Sequence, residues 1–235
     1  MSAYDMARAL LRPPLRRGLG WRVEGGEHIP ESGPALLAAN HISLTDPLAV
    51  GYLADLRGRE ARFLATSGLF RYPLLAGFLR RMGQIPVERA TSRAAASLEP
   101  AAAALAAGEV VVIFPEGGLS TDLDPSRGRT GVARLARAAG VPVIPVGLWG
   151  THRLHAKHHG PRWRPGLVVA AAVGGAMAVL PDENDRAATD RIMDTIAGQV
   201  ATARLLYGQQ TPPGEDAWWI RHRRTRAKRK SFDRG

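Results

Sequence analysis

The chain has no cysteine among its 235 residues, which excludes a disulfide framework, a thiol nucleophile and any thiolate-held metal. It also has no run of about 18 uncharged apolar residues, the length a bilayer-crossing helix needs. The opening MSAYDMARALLRPPLRRGLGW lacks the apolar stretch and small-residue cleavage site of a secretory signal. A cytosolic compartment is therefore expected. Acidic residues are scarce: 21 Asp and Glu stand against 32 Lys and Arg, for a net charge of +11. The imbalance is concentrated in RHRRTRAKRKSFDRG, residues 221–235, where eight cations meet one acid. Such a tail suits the dense phosphate of nucleic acid or anionic lipid, or is a solvated terminus. Trp218 and Trp219 precede it, and that pairing fits stacked bases or a lipid headgroup interface. No nucleic-acid module fits the remaining sequence.

Apolar residues make up 45% of the chain, enough for one α/β domain with a real core. Residues 4–17 read as a basic amphipathic helix that Pro13 and Pro14 must interrupt. It suits a membrane surface or packing across the domain. Strands are predicted in WRVEGGEHIP, PALLAAN, ARFLAT, QIPVER (ending at Arg89), EVVVIF, VPVIPVGL and GLVVAAAVGGAM. Helices are predicted in PLAVGYLADL, in GLFRYPLLAGFLRRMG with a break at Pro73, in SRAAASLEPAAAALAAG, in TGVARLARAAG and in ENDRAATDRIMDTIAGQVATARLL. The alternation predicts a mostly parallel or mixed sheet flanked by helices.

Four short stretches stand out, three of them for chemistry. In NHISLTDP, His41 closes an apolar strand and Asp46 follows five residues later. On a continuous helix those side chains diverge by about 140°. They converge if the chain turns between them, and Asp46-Pro47 reads as the N-cap and first residue of a helix. His41 then stands at a strand's carboxyl end, where open α/β sheets bind ligands. The bland alternative is an ordinary loop histidine beside a capping aspartate. The functional one is an imidazole oriented by a carboxylate and acting as base on a substrate hydroxyl. In VVVIFPEGGLS a strand runs into Glu116 and two glycines, Gly117 and Gly118, whose backbone can approach an anion closely. GQIPVERA brings Arg89 to a strand end, a possible phosphate clamp. VPVIPVGLWGT reads as architecture. GLS is not a nucleophile elbow, so serine catalysis has little support. THRLHAKHHG holds four histidines but no acid, and Arg153, Lys157 and Arg162 would repel a cation, so no metal is expected. A basic loop near a membrane or a donor's phosphates is the better reading.

Taken in order, these stretches resemble the glycerophospholipid acyltransferases of the 1-acylglycerol-3-phosphate (lysophosphatidate) type, over residues 21–175. His41 and Asp46 match N-H-x-x-x-x-D; Gly83, Ile85, Val87 and Arg89 match G-x-I-x-V-x-R; Phe114 to Gly117 match F-P-E-G; Val141 to Val146 match the apolar block. Where the family reads T-R, this chain has Gly118 and Leu119.

The resemblance implies that His41 is the general base and Asp46 its partner, with Arg89, Glu116, Gly117 and Arg129 binding substrate. Glu116 is alternatively a residue that holds the loop through backbone hydrogen bonds. It implies a donor of acyl-CoA or acyl carrier protein, a lysophospholipid acceptor acylated at its sn-2 hydroxyl, and no metal or cofactor. It implies residues 1–20 as an N-terminal interfacial segment, 21–208 as the acyltransferase domain and 209–235 as linker and basic tail. Peripheral attachment to an anionic membrane surface, on the cytoplasmic face of a bacterial membrane, is expected through the first helix, residues 68–79 and the tail. The alternatives are another lipid or glycolipid acceptor, or a non-catalytic binder of anionic lipid or nucleic acid.

Overall fold

The computed structural model describes residues 3–88, 98–120, 122–156, 160–162 and 166–208. Helix α1 (Ala3–Gly18) leads into strand β1 (Leu19–Glu24). There follow β2 (Ala35–Ala39), α2 (Asp46–Leu56), β3 (Ala61–Thr66), α3 (Pro73–Arg81), β4 (Ile85–Val87) and α4 (Glu99–Ala106). The chain continues through β5 (Val110–Ile113), α5 (Gly131–Ala139), β6 (Val143–Trp149), β7 (Leu167–Val173) and α6 (Asp185–Tyr207). The strands form one seven-stranded sheet in the order β1-β7-β6-β2-β5-β3-β4. Every pairing is parallel except β6 with β7, so the sheet is mixed.

The central strands are apolar on both sides because both faces are covered. Ala35, Leu37 and Ala39 of β2 point to the face packed by α1 and α2, with Val50, Leu53 and Leu15. Leu36 and Ala38 point to the opposite face, with Leu105 of α4, Leu135 of α5 and Ile192 and Ile196 of α6. Strand β2 thus lies at the centre of two cores. From β2 the chain leaves over the α2 face toward β3, whereas from β5 it crosses the other face, by α5, toward β6. Adjacent strands whose connections diverge to opposite faces leave a crevice at their carboxyl ends.

Two expectations need correction. Pro13 and Pro14 do not interrupt α1, which runs through them. Prolines there remove two backbone donors, but contacts on both sides hold the helix down. Arg8 and Arg12 pair with the buried Asp55, Leu15 is buried, and the Trp21 indole donates to the Leu15 carbonyl at 2.8 Å. The second concerns α2, which starts at Asp46 with Thr45 as its cap residue. The Asp46 carboxylate serves the preceding loop instead, as described below. The predicted helix at 92–108 is described only as α4, and residues 92–97, Arg89 at the end of QIPVER, and Trp218, Trp219 and the tail lie outside the described residues.

Helix α6 crosses β6 so closely that a Cβ at Gly147 would lie 2.2–2.5 Å from backbone atoms of Gln199 and Val200. Backbone cannot rotate aside as a side chain can. Gly147→Ala is expected to destabilise the fold by at least about 1–3 kcal/mol, read as a lowered denaturant midpoint.

Candidate active site

Two loops meet in the crevice. The first leaves β2 through Asn40, a buried amide paired with both backbone groups of Leu148 on β6. Its Nδ2 donates to the Leu148 carbonyl at 3.1 Å and its Oδ1 accepts from the Leu148 N–H at 2.7 Å. This pins the last turn of β2 where the sheet ladder ends, and places His41 one residue beyond.

Around His41 the loop folds onto a single atom. Asp46 Oδ2 accepts from the backbone N–H of Ile42 at 2.7 Å, from that of Ser43 at 2.7 Å, and lies 2.9 Å from His41 Nδ1. Asp46 is fully buried, whereas the imidazole retains 15% exposure. An ionised carboxylate has no proton to give, so the shared proton belongs to Nδ1 and the lone pair to Nε2. The ring stacks on Phe114 at 4.2 Å between centroids, and Phe114 in turn lies against Phe63 of β3. Ser43 locks the loop from below: its hydroxyl donates to the His155 carbonyl at 2.7 Å and accepts from the Thr45 N–H at 3.0 Å.

The second loop follows β5. Glu116 Oε1 accepts from the His41 N–H at 2.8 Å, while Oε2 accepts from the backbone and hydroxyl of Ser126 at 3.0 and 2.8 Å. Burial pushes its carboxyl above the usual carboxylate range, and these hydrogen bonds act in the opposite direction. Both oxygens are thus engaged in holding loops together. The Gly117 N–H is engaged in a turn with the Phe114 carbonyl, and its φ of +71° suits glycine. A Cβ at Gly117 would meet Arg129 Nε at 2.4 Å, so this glycine admits the Arg129 side chain against the turn. Arg129 is exposed, and its own N–H donates to the Pro115 carbonyl at 2.8 Å. Ser120 is structural: its N–H donates to the His41 carbonyl at 2.7 Å and its hydroxyl to the Asp124 carbonyl.

The structure therefore brings His41, Asp46, Glu116, Gly117 and Arg129 into one cluster, with Arg89 outside the described residues. Sequence reading missed Asn40, Ser43 and Ser126. It also missed Arg204 of α6, whose guanidinium sits 4.1 Å over the Trp149 ring and donates to Asp124 Oδ1 at 2.6 Å and to the Leu123 carbonyl at 2.9 Å. A buried asparagine inside an apolar run was the one legible signal among these. An apolar cleft of about 110 Å³ opens beside the site, lined by Leu11, Leu15, Leu48, Tyr52, Phe63 and Met82 among others.

Of the histidine-rich stretch, residues 151–156 are not the basic surface loop expected, and Lys157, His158 and His159 lie outside the described residues. His152 and Arg153 are buried, His152 against Trp149 and Arg153 donating to the Tyr207 hydroxyl at 2.6 Å. Burial, with Arg153 and Arg204 nearby, lowers the His152 pKa from 6.5 to about 3. Among the described residues no group of three or more metal-binding side chains is assembled.

Residues 20–149 match the family model described as Acyltransferase. The chain is 31% identical over 134 residues to a chloroplastic 1-acyl-sn-glycerol-3-phosphate acyltransferase of Arabidopsis thaliana, covering 56% of this chain and 36% of that protein. It is 30% identical over 158 residues to a 1-acyl-sn-glycerol-3-phosphate acyltransferase of Borreliella burgdorferi, covering 66% and 62%. A lyso-ornithine lipid O-acyltransferase of Rhizobium meliloti is 33% identical over 134 residues, 55% of this chain and 43% of that one. The chain thus spans roughly one to two thirds of the length of these curated relatives. The fold is that of the crystal structure of the 1-acyl-sn-glycerophosphate acyltransferase PlsC from Thermotoga maritima: TM-score 0.65, 24% identity, 88% of this chain and 84% of that one.

Two measurements follow from the site. Glu116→Gln keeps the shape but turns an acceptor into a donor facing Ser126, and should lower stability by about 1–3 kcal/mol in chemical denaturation. Between pH 6.5 and about 3 the unfolded chain binds a proton at His152 that the folded chain does not. Stability therefore falls on acidification through that window. His152→Phe should show the shallower loss of melting temperature over the same range.

Proposed function

The chain belongs to the acyltransferase family, and we propose that it moves a fatty acyl group from acyl-CoA or acyl carrier protein to the sn-2 hydroxyl of 1-acylglycerol-3-phosphate, giving phosphatidate for phospholipid synthesis. The observation that carries this reading is the His41 ring, held through Nδ1 by a buried carboxylate and partly open to solvent at the sheet's carboxyl edge. An acceptor already acylated at sn-1 and phosphorylated at sn-3 has one hydroxyl left, and that hydroxyl gives its proton to Nε2 as its oxygen attacks the thioester carbonyl. Asp46 stabilises the imidazolium so formed. A carbon–oxygen bond forms, and the tetrahedral intermediate collapses by breaking the carbon–sulfur bond. The imidazolium returns the proton to the departing thiolate, leaving ester, free thiol and neutral histidine.

Arg129, lying exposed against the Gly117 turn, is the described cation best placed for the acceptor phosphate, and Arg89 is its expected partner. The cleft beside Phe63 is the berth for a hydrocarbon chain, since transfer of each buried methylene contributes about 0.8 kcal/mol.

A second acceptor is favoured by two observations. Gly118 and Leu119 replace the arginine-bearing pair usual after F-P-E-G, and the Rhizobium relative is named for lyso-ornithine lipid. Thiol release should be measured with a panel of lysophosphatidate, lysophospholipids and lyso-ornithine lipid. His41→Ala is expected to abolish it. Asp46→Asn retains an oxygen for the Ile42 and Ser43 amides but not the charge, and should reduce the rate by about 10²–10⁴. Wild-type rates in His41→Ala would sink the reading; release with lyso-ornithine lipid alone would replace the acceptor.

A further inference from the structure

The last turn of α6 lies beyond the residues matched by the family model, yet hydrogen bonds join it to the loops around His41. Arg204 makes three contacts there. Its guanidinium rests on the ring of Trp149, the residue that ends β6. The same group donates to the Leu123 carbonyl at 2.9 Å and to Asp124 Oδ1 at 2.6 Å. Trp149 follows Leu148, to which Asn40 is paired. Arg204 therefore ties the segment after β5 to the strand end that also fixes β2. Only 18% of its side chain is exposed, and a planar fork stacked on an aromatic face presents its N–H groups in fixed directions.

The residues it grips do not hold that shape unaided. Leu123 has a φ of +59°, and among the described residues it is the one non-glycine at positive φ. A bulky side chain is strained there, and such a conformation persists only where the surroundings over-determine it. The Leu123 side chain is buried in the core, and its carbonyl accepts from Arg204. Asp124 is held at both ends, by Arg204 at its carboxylate and by the Ser120 hydroxyl at its carbonyl, 2.8 Å away. Ser120 in turn donates its N–H to the His41 carbonyl at 2.7 Å. Tyr207, three residues further along α6, accepts from Arg153 at 2.6 Å. It thereby steadies the segment whose His155 carbonyl receives the Ser43 hydroxyl. One turn of helix thus braces both flanks of the His41 loop.

We propose that Arg204 is a positioning residue for acyl transfer. It holds Leu123 and Asp124 in their strained arrangement, Asp124 fixes Ser120, and Ser120 fixes His41 by its carbonyl so that Nδ1 meets Asp46 and Nε2 faces the acceptor. Arg204 acts through these residues and not on the substrate. The inference rests on the general-base reading of His41 for its effect on turnover. Ring orientation is measured without substrate, so the two fail separately.

The test compares Arg204→Gln and Arg204→Lys with Arg191→Gln, a control nearer the amino end of α6 that loses the pair with Glu183. In thiol release, Arg204→Gln should lower kcat about 10- to 100-fold, as small misplacements of a reacting group do, with KM for donor and acceptor unchanged. Arg204→Lys keeps the charge but not the fork, so its kcat should fall between those of the wild type and Arg204→Gln. Arg191→Gln should turn over like the wild type. Ring-nitrogen NMR of the histidine-labelled full chain, with the His41 signal assigned by its loss in His41→Ala, gives the second readout. The wild type and Arg191→Gln should show the Nδ1–H tautomer, and Arg204→Gln a mixture of both. If Arg204→Gln does not fold, Asp124→Asn loosens the same grip from the loop side and should give the same two signatures. The proposal is overturned by an undiminished kcat, by a loss carried in KM alone, by an unaltered His41 tautomer, or by an equal loss in Arg191→Gln. An active His41→Ala would instead remove the general-base reading, and the tautomer would still decide whether Arg204 orients the ring.

Discussion

One carboxylate oxygen organises this molecule's edge. Asp46 Oδ2 faces two backbone amides and an imidazole within 2.9 Å, and a loop of that length can satisfy all three only by curling around the acid. Satisfying buried amides and fixing the histidine tautomer are therefore the same event. A buried charge is costly unless surrounded by donors, so the loop's shape and the ring's orientation stand or fall together. Glu116 repeats the device from the neighbouring strand, reaching across to the His41 amide. The histidine is held by its ring from one side of the sheet and by its backbone from the other.

That arrangement depends on strand order. Because β5 lies next to β2 while their connections depart over opposite faces, the loops that leave the two strands meet at the carboxyl edge, where the His41 ring stacks on Phe114. The small residues of β2 matter here as much as the polar ones. Alanines at 35, 38 and 39 are buried, and they let helices approach both faces without displacing the strand end. Asn40 then completes the last pairing to β6 with its side chain.

The pattern of elements was legible because buried strands are β-branched or alanine-rich runs and helices open on proline, as at Pro47 and Pro73. Parts of the site were legible too, since a histidine and an aspartate at a strand-to-helix junction carry a recognisable chemistry. Position 46 shows the limit. An Asp-Pro pair fits a cap, and nothing in the spacing reveals that the carboxylate turns back to the preceding amides. Pro13 and Pro14 misled for a related reason: their local cost is visible, whereas the Asp55 and Trp21 contacts that offset it come from distant sequence. Strand order, the antiparallel β7 and the reach of Arg204 are likewise products of long-range pairing that no local window contains.

The position of α6 bears on where this domain ends. The family match stops at residue 149, yet α6, at residues 185–207, covers the face shared by Val143 and Ala170, and its Arg204 grips the segment after the Gly-Gly turn. A fragment cut at the limit of family similarity would keep the motif residues and lose the wall behind them. The recognisable sequence is accordingly smaller than the cooperative unit that gives it shape.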